Sequence, residues 1–186
     1  MNRTAGILLS ISSLPSKFGI GCFGKSAYDF VDWLKEAGQT YWQILPLGPT
    51  SYGDSPYQSF STFAGNPYFI SLEALIEEGV LTQEECNSAD FGKKENDIDY
   101  EKLYNHRYPL LRQAYVRSNI SQNPDYLKFV QENNWWLSDY ALFMAVKNHF
   151  EGKPWTEWAE DIRLRYSYAL DYYRKELYFD IEFQQY

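Results

Sequence analysis

The first 47 residues predict a strand, a helix and a second strand, and this order constrains the fold more than any other feature. Gly6 to Ser12 (GILLSIS) and Tyr41 to Leu47 (YWQILPL) are short apolar runs, typical of buried strands. Between them we expect a helix from Ser26, as its N-cap, to Ala37, with Gly38 as the left-handed residue behind it. Two strands joined in this way lie parallel in one sheet, with a right-handed crossover.

A buried parallel pair needs further strands beside it and helices over both faces, yet the rest of the chain has mainly helical period. A Gly/Pro/Ser/Tyr loop fills residues 48–70. Helices are then predicted from Ser71, from Thr82 in a capping box with Glu85, from Asp99 to about Arg117, from Asn123-Pro124, from Trp136 to Phe150 and from Ser167 to about Gln184. We therefore expect an α/β fold with a strand-helix-strand unit in residues 1–50 and a mostly helical part in 51–186. The sheet would be completed by other protein or by a longer chain.

Charge and cysteine content exclude several classes of function. The net charge is −8 and the Lys and Arg residues form no cluster, so a phosphate backbone would be repelled and nucleic acid is not an expected partner. The sequence contains no run of about 18 apolar residues, so no membrane span is expected. Cys22 and Cys86 lack metal-binding spacing, and with two histidines no metal site is expected. Free thiols and no export signal favour the cytoplasm.

The pattern Gly19-x-Gly21-x-x-Gly24 matches the dinucleotide-binding fingerprint, but its context does not. That fingerprint needs its glycines directly after the strand and an acidic residue at the end of the next strand. Here residues 12–18 intervene, and the second strand ends in Leu45-Pro46-Leu47 without an acid. We interpret the glycines as shaping a tight loop at the carboxyl end of the first strand.

The acidic residues do not form a recognisable catalytic pair. Retaining glycoside chemistry needs two carboxylates about 5–5.5 Å apart, and Asp54 is the only acid in the 48–70 loop. Glu84 and Glu85 belong to a helix cap. His106 and His149 fall within predicted helices, and no GxSxG nucleophile motif is present.

Residues 48–68 combine turn formers with aromatic rings, in a chain whose aromatic content is 19%. The segment follows the carboxyl end of a parallel strand, where α/β barrels build their sites. The rings are Tyr52, Tyr57, Phe60, Phe63 and Tyr68, and the hydroxyl and amide groups come from Ser55, Gln58, Ser59, Ser61 and Asn66. Two interpretations stay equal on these grounds: an Ω-like loop packed by its own rings, or a wall that binds sugars.

The run YWQILPLGPTSYGDSPYQSFSTFAGNPY closely resembles the N-terminal block of the 4-α-glucanotransferases (amylomaltases or disproportionating enzymes, glycoside hydrolase family 77). The resemblance continues, in the family's order, through SSLPSKFGIGCFG, DYEKLY, WWLSDYALFMAVK and LYFDIEFQQY, and so spans essentially the whole chain. The sequence departs from the common pattern at Ser51, where Gly is frequent, and at Cys22, where Asp or another residue occurs.

The resemblance implies a cytoplasmic (β/α)8 TIM barrel of roughly 500 residues, well above the usual single-domain size. Such an enzyme transfers α-1,4-glucan segments between maltodextrins by a retaining mechanism, without a cofactor. This chain would supply two parallel strands, one crossover helix and a helical insertion. In the family the catalytic carboxylates lie on later strands, so no catalytic residue is expected in this chain.

The resemblance also implies substrate-binding residues. Tyr57 matches the active-site tyrosine beside the sugar at the cleavage point, and Ser55 matches a neighbouring residue that contacts glucan. Tyr52 and Tyr104 match the two aromatic residues of a secondary glucan site on the surface. The WWLSDYALF segment is expected to form the core of the insertion through Trp135, Trp136, Tyr140, Leu142 and Phe143.

Three interpretations of function remain open on the sequence. The first is the N-terminal portion of a 4-α-glucanotransferase, whose partner is a maltodextrin. Its unpaired strand edge would lead to self-association or be covered by a displaced helix. The second is a stand-alone maltodextrin-binding module without catalytic activity. The third is an interaction protein that uses its acidic helical surface.

Overall fold

A computed structural model describes residues 3–51, 53–92 and 97–186. They form two compact units, one that ends at Ser118 and one that begins at Asn119. The predicted boundary at residue 50 separates a barrel part from an insertion. It stays a prediction, because it refers to a fold larger than this chain.

The first unit contains the predicted parallel strand pair. Strand β1 (Gly6–Leu8) and strand β2 (Tyr41–Gln43) pair in parallel, with Gly6 opposite Tyr41. Both are shorter than the apolar runs that predicted them, and both are largely open to solvent: Leu8 is 58% exposed and Tyr41 is 60% exposed. The expected burial is therefore wrong for the described chain, because its two-stranded sheet has no third strand beside it.

Helix α1 (Lys25–Glu36) connects the strands, but its N-cap is Gly24 and not Ser26. Ser26 is the second residue of the helix, and its hydroxyl donates a hydrogen bond of 2.7 Å to the carbonyl oxygen of Pro15. The predicted left-handed stop is confirmed, since Gly38 has a φ of 69°.

The glycines of the GxGxxG pattern shape the loop after β1, as expected. Gly19 has a φ of 82°, a backbone conformation that favours glycine. A side chain on Gly21 would collide with the carbonyl oxygen of Ile11 and would lie 2.7 Å from the backbone nitrogen of Leu14. Ile11 and Leu14 are buried in one cluster with Ala27 of α1.

Three capped helices complete the first unit: α2 (Leu72–Glu77), α3 (Gln83–Ser88) and α4 (Tyr100–Ser118). The predicted caps are confirmed. The Ser71 side chain accepts from the backbone of Ala74, and Thr82 and Glu85 exchange both hydrogen bonds of a capping box. Glu85 also receives two hydrogen bonds from Arg117 of α4, at 2.8 and 2.9 Å, which join α3 to α4.

The second unit is helical and differs from the prediction in two places. Its helices are α5 (Pro124–His149), α6 (Glu160–Arg163), α7 (Ser167–Glu176) and α8 (Tyr178–Gln185). The two helices expected between residues 123 and 150 are one helix of 26 residues, because nothing interrupts the backbone after the Asn123 cap. The helix expected from 167 to 184 breaks at Leu177.

The core of the second unit contains only part of the WWLSDYALF segment. Leu142 is buried, and Phe143 packs against the same cluster. Trp135, however, is 69% exposed. Trp136 and Tyr140 are partly buried, with ring centroids 6.0 Å apart. Burial therefore does not follow the apolar content of this segment residue by residue.

We expect Glu85 to make the first unit sensitive to acid. The hydrogen bonds from Arg117, and then from the Thr82 backbone, lower the pKa of Glu85 from 4.5 to about 2. A lowered pKa stabilises the folded state above pH 4.5, and this contribution is lost as the pH falls towards 2. In urea unfolding, the difference in the free energy of unfolding between wild type and Glu85→Gln should become smaller as the pH falls from 4.5 towards 2.

The neighbouring Glu84→Gln is the matched control for that experiment, since Glu84 lies in the same first turn of α3 without the Arg117 contact. If the difference in the free energy of unfolding between wild type and Glu85→Gln stays constant down to pH 2, the role given to the Arg117 contact is wrong.

Candidate functional site

The candidate site lies at the carboxyl ends of β1 and β2. Because the strands are parallel, the segments that follow them leave from the same edge of the sheet. We call the segment after β2 the site loop (residues 44–51 and 53–70). It holds Ser55 and Tyr57 of the predicted site, whereas Tyr52 lies outside the described residues.

The base of the site loop is closed by backbone hydrogen bonds. The N–H of Asn66 donates to the carbonyl oxygen of Leu47 at 2.8 Å, which brings the two ends of the loop together. The buried side chain of Asn66 accepts from the N–H of Tyr68 at 3.0 Å. The N–H of Phe23 donates to the carbonyl oxygen of Phe69 at 3.0 Å, and this bond ties the site loop to the segment after β1.

The tip of the site loop is shaped by hydroxyl groups. The Ser51 hydroxyl donates to the carbonyl oxygen of Gln58 at 3.1 Å, and Ser59 donates to that of Ser61 at 2.7 Å. The Ser55 oxygen accepts from the N–H of Tyr57 at 3.3 Å. Serine side chains therefore hold the turns on which the Tyr57 ring is displayed.

Some rings of the loop pack and others face solvent. Tyr68 is buried, whereas Tyr57 is 72% exposed and Phe60 and Phe63 are also exposed. An Ω-like loop that is packed by its own rings would bury most of them. The exposed Tyr57 ring favours the interpretation as a binding wall.

A small cavity of about 30 Å³ lies beneath the loop, between the two strand ends. Polar groups of Ser10, Ser12, Thr50, Asp54, Asn66 and Tyr100 line it. Its volume suits a water molecule and not a sugar ring. Asp54 is the only carboxylate among the residues that line it, and burial raises the pKa of Asp54. The cavity therefore lacks the pair of acids that glycosyl transfer requires.

Helix α4 brings three tyrosines to the site loop. Tyr100, Tyr104 and Tyr108 follow one another at intervals of four residues and so share one face of α4. With Tyr68 they form what we call the tyrosine cluster. The ring centroids of Tyr104 and Tyr108 are 5.3 Å apart, and Tyr68 lies 6.0 Å from Tyr108 and 6.1 Å from Tyr100.

The charge of Asp54 reaches this cluster. Burial, and then the negative charge of Asp54, raise the pKa of Tyr68 to about 12, and the same two causes raise the pKa of Tyr100. These hydroxyl groups therefore stay protonated and can donate hydrogen bonds at neutral pH. Sequence reasoning did not single out Tyr108, although the interval of four residues was available.

The predicted residues Ser55, Tyr57 and Tyr104 all lie in the first unit. Tyr104 is 61% exposed at the outer end of the tyrosine cluster, which is what a surface site requires. Its predicted pairing with Tyr52 stays a prediction, because Tyr52 lies outside the described residues.

The cysteines and acidic residues of the described ranges show no group of three or more metal-ligating side chains. Cys22 and Cys86 are both buried and unpaired, and burial raises the pKa of each thiol. Among the helices of the described ranges, none is long and apolar enough to cross a bilayer.

The structure so far defines an α/β protein with a parallel strand pair and an aromatic loop at its carboxyl edge. Comparison with known sequences makes the class specific. The family model described as 4-alpha-glucanotransferase matches residues 9–186. The chain belongs to the 4-α-glucanotransferase family, and the resemblance stated from its motifs is confirmed.

Individual relatives agree with the family match. The 4-alpha-glucanotransferase of Streptococcus pneumoniae (strain TIGR4) is 51% identical over 177 residues, which cover 94% of this chain and 35% of the relative. That of Clostridium butyricum is 48% identical over 175 residues, which cover 94% of this chain and 36% of the relative. The chain therefore spans about a third of the length of the curated relatives it matches.

A solved structure also agrees. An amylomaltase from Streptococcus agalactiae in complex with acarbose superposes with a TM-score of 0.91 at 40% identity. The match covers 99% of this chain and 38% of that structure. The two parallel strands and the helices that follow are thus part of a larger fold in that relative.

We expect Gly48→Ala to disturb the site loop while Gly65→Ala does not. A methyl group on Gly48 would lie 2.9 Å from the Cβ atom of Ser59 and 3.2 Å from the carbonyl oxygen of Ser61. A methyl group on Gly65 meets no described atom within 4 Å. The first change should cost about 1–3 kcal/mol in the free energy of unfolding, and the second less than about 0.5 kcal/mol.

Urea denaturation followed by tyrosine and tryptophan fluorescence measures both variants. Equal unfolding midpoints for the two alanine variants would show that Gly48 is not packed against Ser59 and Ser61 as described.

Proposed function

We propose that this chain is the N-terminal portion of a retaining 4-α-glucanotransferase and that it contributes glucan binding to the parent enzyme. The observation that carries the proposal is the extent of the match. Relatives with this activity are about half identical over 94% of the chain, while the chain accounts for 35% of their length. The catalytic carboxylates would then lie in the remaining part of the parent protein.

The geometry of the site loop supports a binding role. The exposed Tyr57 ring can pack against the face of a pyranose, and its hydroxyl can exchange hydrogen bonds with sugar hydroxyls. Ser55 binds the backbone N–H of Tyr57 through its hydroxyl oxygen, and its hydroxyl group can also contact a sugar bound at this part of the loop. A retaining transfer passes through a covalent glucosyl-enzyme, and its nucleophile and acid/base would face this wall from outside the chain.

The strand pair supports a (β/α)8 barrel as the parent fold. Exposed β1 and β2 present backbone groups that further parallel strands would pair, and helices would cover the exposed Leu8 and Tyr41 side chains. On its own, the chain should self-associate through the unpaired backbone groups of β1 and β2. The two unpaired thiols support a cytoplasmic location for the parent enzyme, which would act without a cofactor.

A stand-alone maltodextrin-binding module is the second candidate. It is favoured by one observation: Ser55, Tyr57 and Tyr104 all lie in a single compact unit that ends at Ser118. The length of the gene separates the two candidates, because an open reading frame that continues past Tyr186 with further barrel motifs would support the first.

We expect the 186-residue chain to produce no glucose from maltotriose, because a retaining mechanism needs two facing carboxylates and the site loop offers Asp54 alone. The measurement is glucose release by purified chain against a blank, with a full-length relative as the positive control. Glucose release above the blank would place the catalytic pair within this chain.

We expect weak glucan binding that depends on Tyr104 and Tyr52. A shallow contact with two rings should give a dissociation constant in the roughly millimolar range, about −4 kcal/mol. Calorimetric or NMR titration with maltoheptaose should show binding weakened about fivefold by Tyr104→Ala or Tyr52→Ala, and less by Tyr57→Ala, whose cleft is incomplete.

Tyr28→Ala is the matched control, since Tyr28 is an exposed tyrosine of α1 outside the site loop and α4. Loss of binding in Tyr57→Ala alone, with Tyr104→Ala and Tyr52→Ala unaffected, would show that the surface site is wrongly assigned.

A further inference from the structure

Helix α4 contains a buried arginine that none of the motifs singled out. Arg107 is 1% exposed, and among the described residues it is the only charged side chain in the buried set. Burying a charge is unfavourable unless hydrogen bonds replace the lost water. The hydrogen-bond partners of Arg107 therefore indicate its role.

The guanidinium of Arg107 connects α4 to both loops of the candidate site. Nη1 donates to the carbonyl oxygen of Phe18, in the segment after β1, at 3.4 Å. Nη2 donates to the carbonyl oxygen of Ile70, the last residue of the site loop. The planar fork of an arginine can reach two diverging acceptors at once, which the single ammonium group of a lysine cannot do in the same way.

The surroundings of Arg107 fit a fixed position. Burial lowers the pKa of its guanidinium, while Cys22 and Glu73 favour its charged form. The side chain is held by backbone carbonyl groups, whose positions are those of the loops themselves. A movement of either loop away from α4 would remove one of the two backbone hydrogen bonds that the buried charge makes.

We propose that Arg107 is the positioning residue of the candidate site, and this inference rests on the proposed glucan-binding function. Tyr68 lies two residues before Ile70 and packs between Tyr100 and Tyr108 of α4. By holding Ile70, Arg107 fixes the end of the site loop against the helix that presents Tyr104. The loop and helix contributions to glucan binding therefore depend on a side chain that touches no sugar.

The test compares Arg107→Met and Arg107→Lys with Arg117→Met, which removes an arginine of the same helix that binds Glu85 at the surface. NMR amide hydrogen exchange is followed at Phe23 and Asn66, which close the loops, and at Leu103 and Ala114 within α4. Maltoheptaose titration is run on the same samples.

Both Arg107 variants should accelerate exchange at Phe23 and Asn66 by about tenfold relative to the α4 amides, and should weaken maltoheptaose binding by about fivefold. Arg117→Met should do neither. Unchanged exchange at the loop amides, or equal acceleration of loop and helix amides, would overturn the proposal, because a merely stabilising arginine acts on the whole unit.

Two further results have defined meanings. If Arg107→Met does not fold, Arg107→Lys keeps the charge and is judged by the same criteria. If the wild-type chain does not bind maltoheptaose, the proposed function fails, and the exchange pattern still decides whether Arg107 positions the loop.

Discussion

The parallel pairing of β1 with β2 determines where the other parts of the first unit lie. Parallel strands send the segments that follow them to one edge, so the glycine-rich segment after β1 meets the site loop after β2. The bond from Phe23 to Phe69 and the two bonds of Arg107 all form at that meeting point. An antiparallel arrangement would separate these segments, and the site could not assemble.

The local features of the fold could be predicted because the interactions that cause them are local. Each helix cap joins groups within about four residues, so the Ser71 cap and the capping box of Thr82 with Glu85 could be predicted from the sequence. The predicted N-cap role of Ser26 was wrong because its hydroxyl binds the carbonyl oxygen of Pro15, 11 positions earlier. The exposure of Trp135 was missed because apolar content alone does not define which residues of a helix a core surrounds.

The site could be predicted only in part, for the same reason. Tyr57, Ser55 and Tyr104 came from the resemblance to a family, and composition and spacing alone left the role of the loop open. Arg107 was not predictable, because its acceptors lie 89 and 37 positions away in the sequence and are backbone atoms, which leave no mark in the residue pattern.

The two buried thiols of the first unit can report when that unit opens. A thiol reacts as its thiolate, and both cysteines are shielded and held in the protonated form while the unit is closed. The sequence contains no other cysteine, so the helical unit that begins at Asn119 has none. The rate at which an alkylating reagent modifies the native protein therefore measures the opening of the first unit alone.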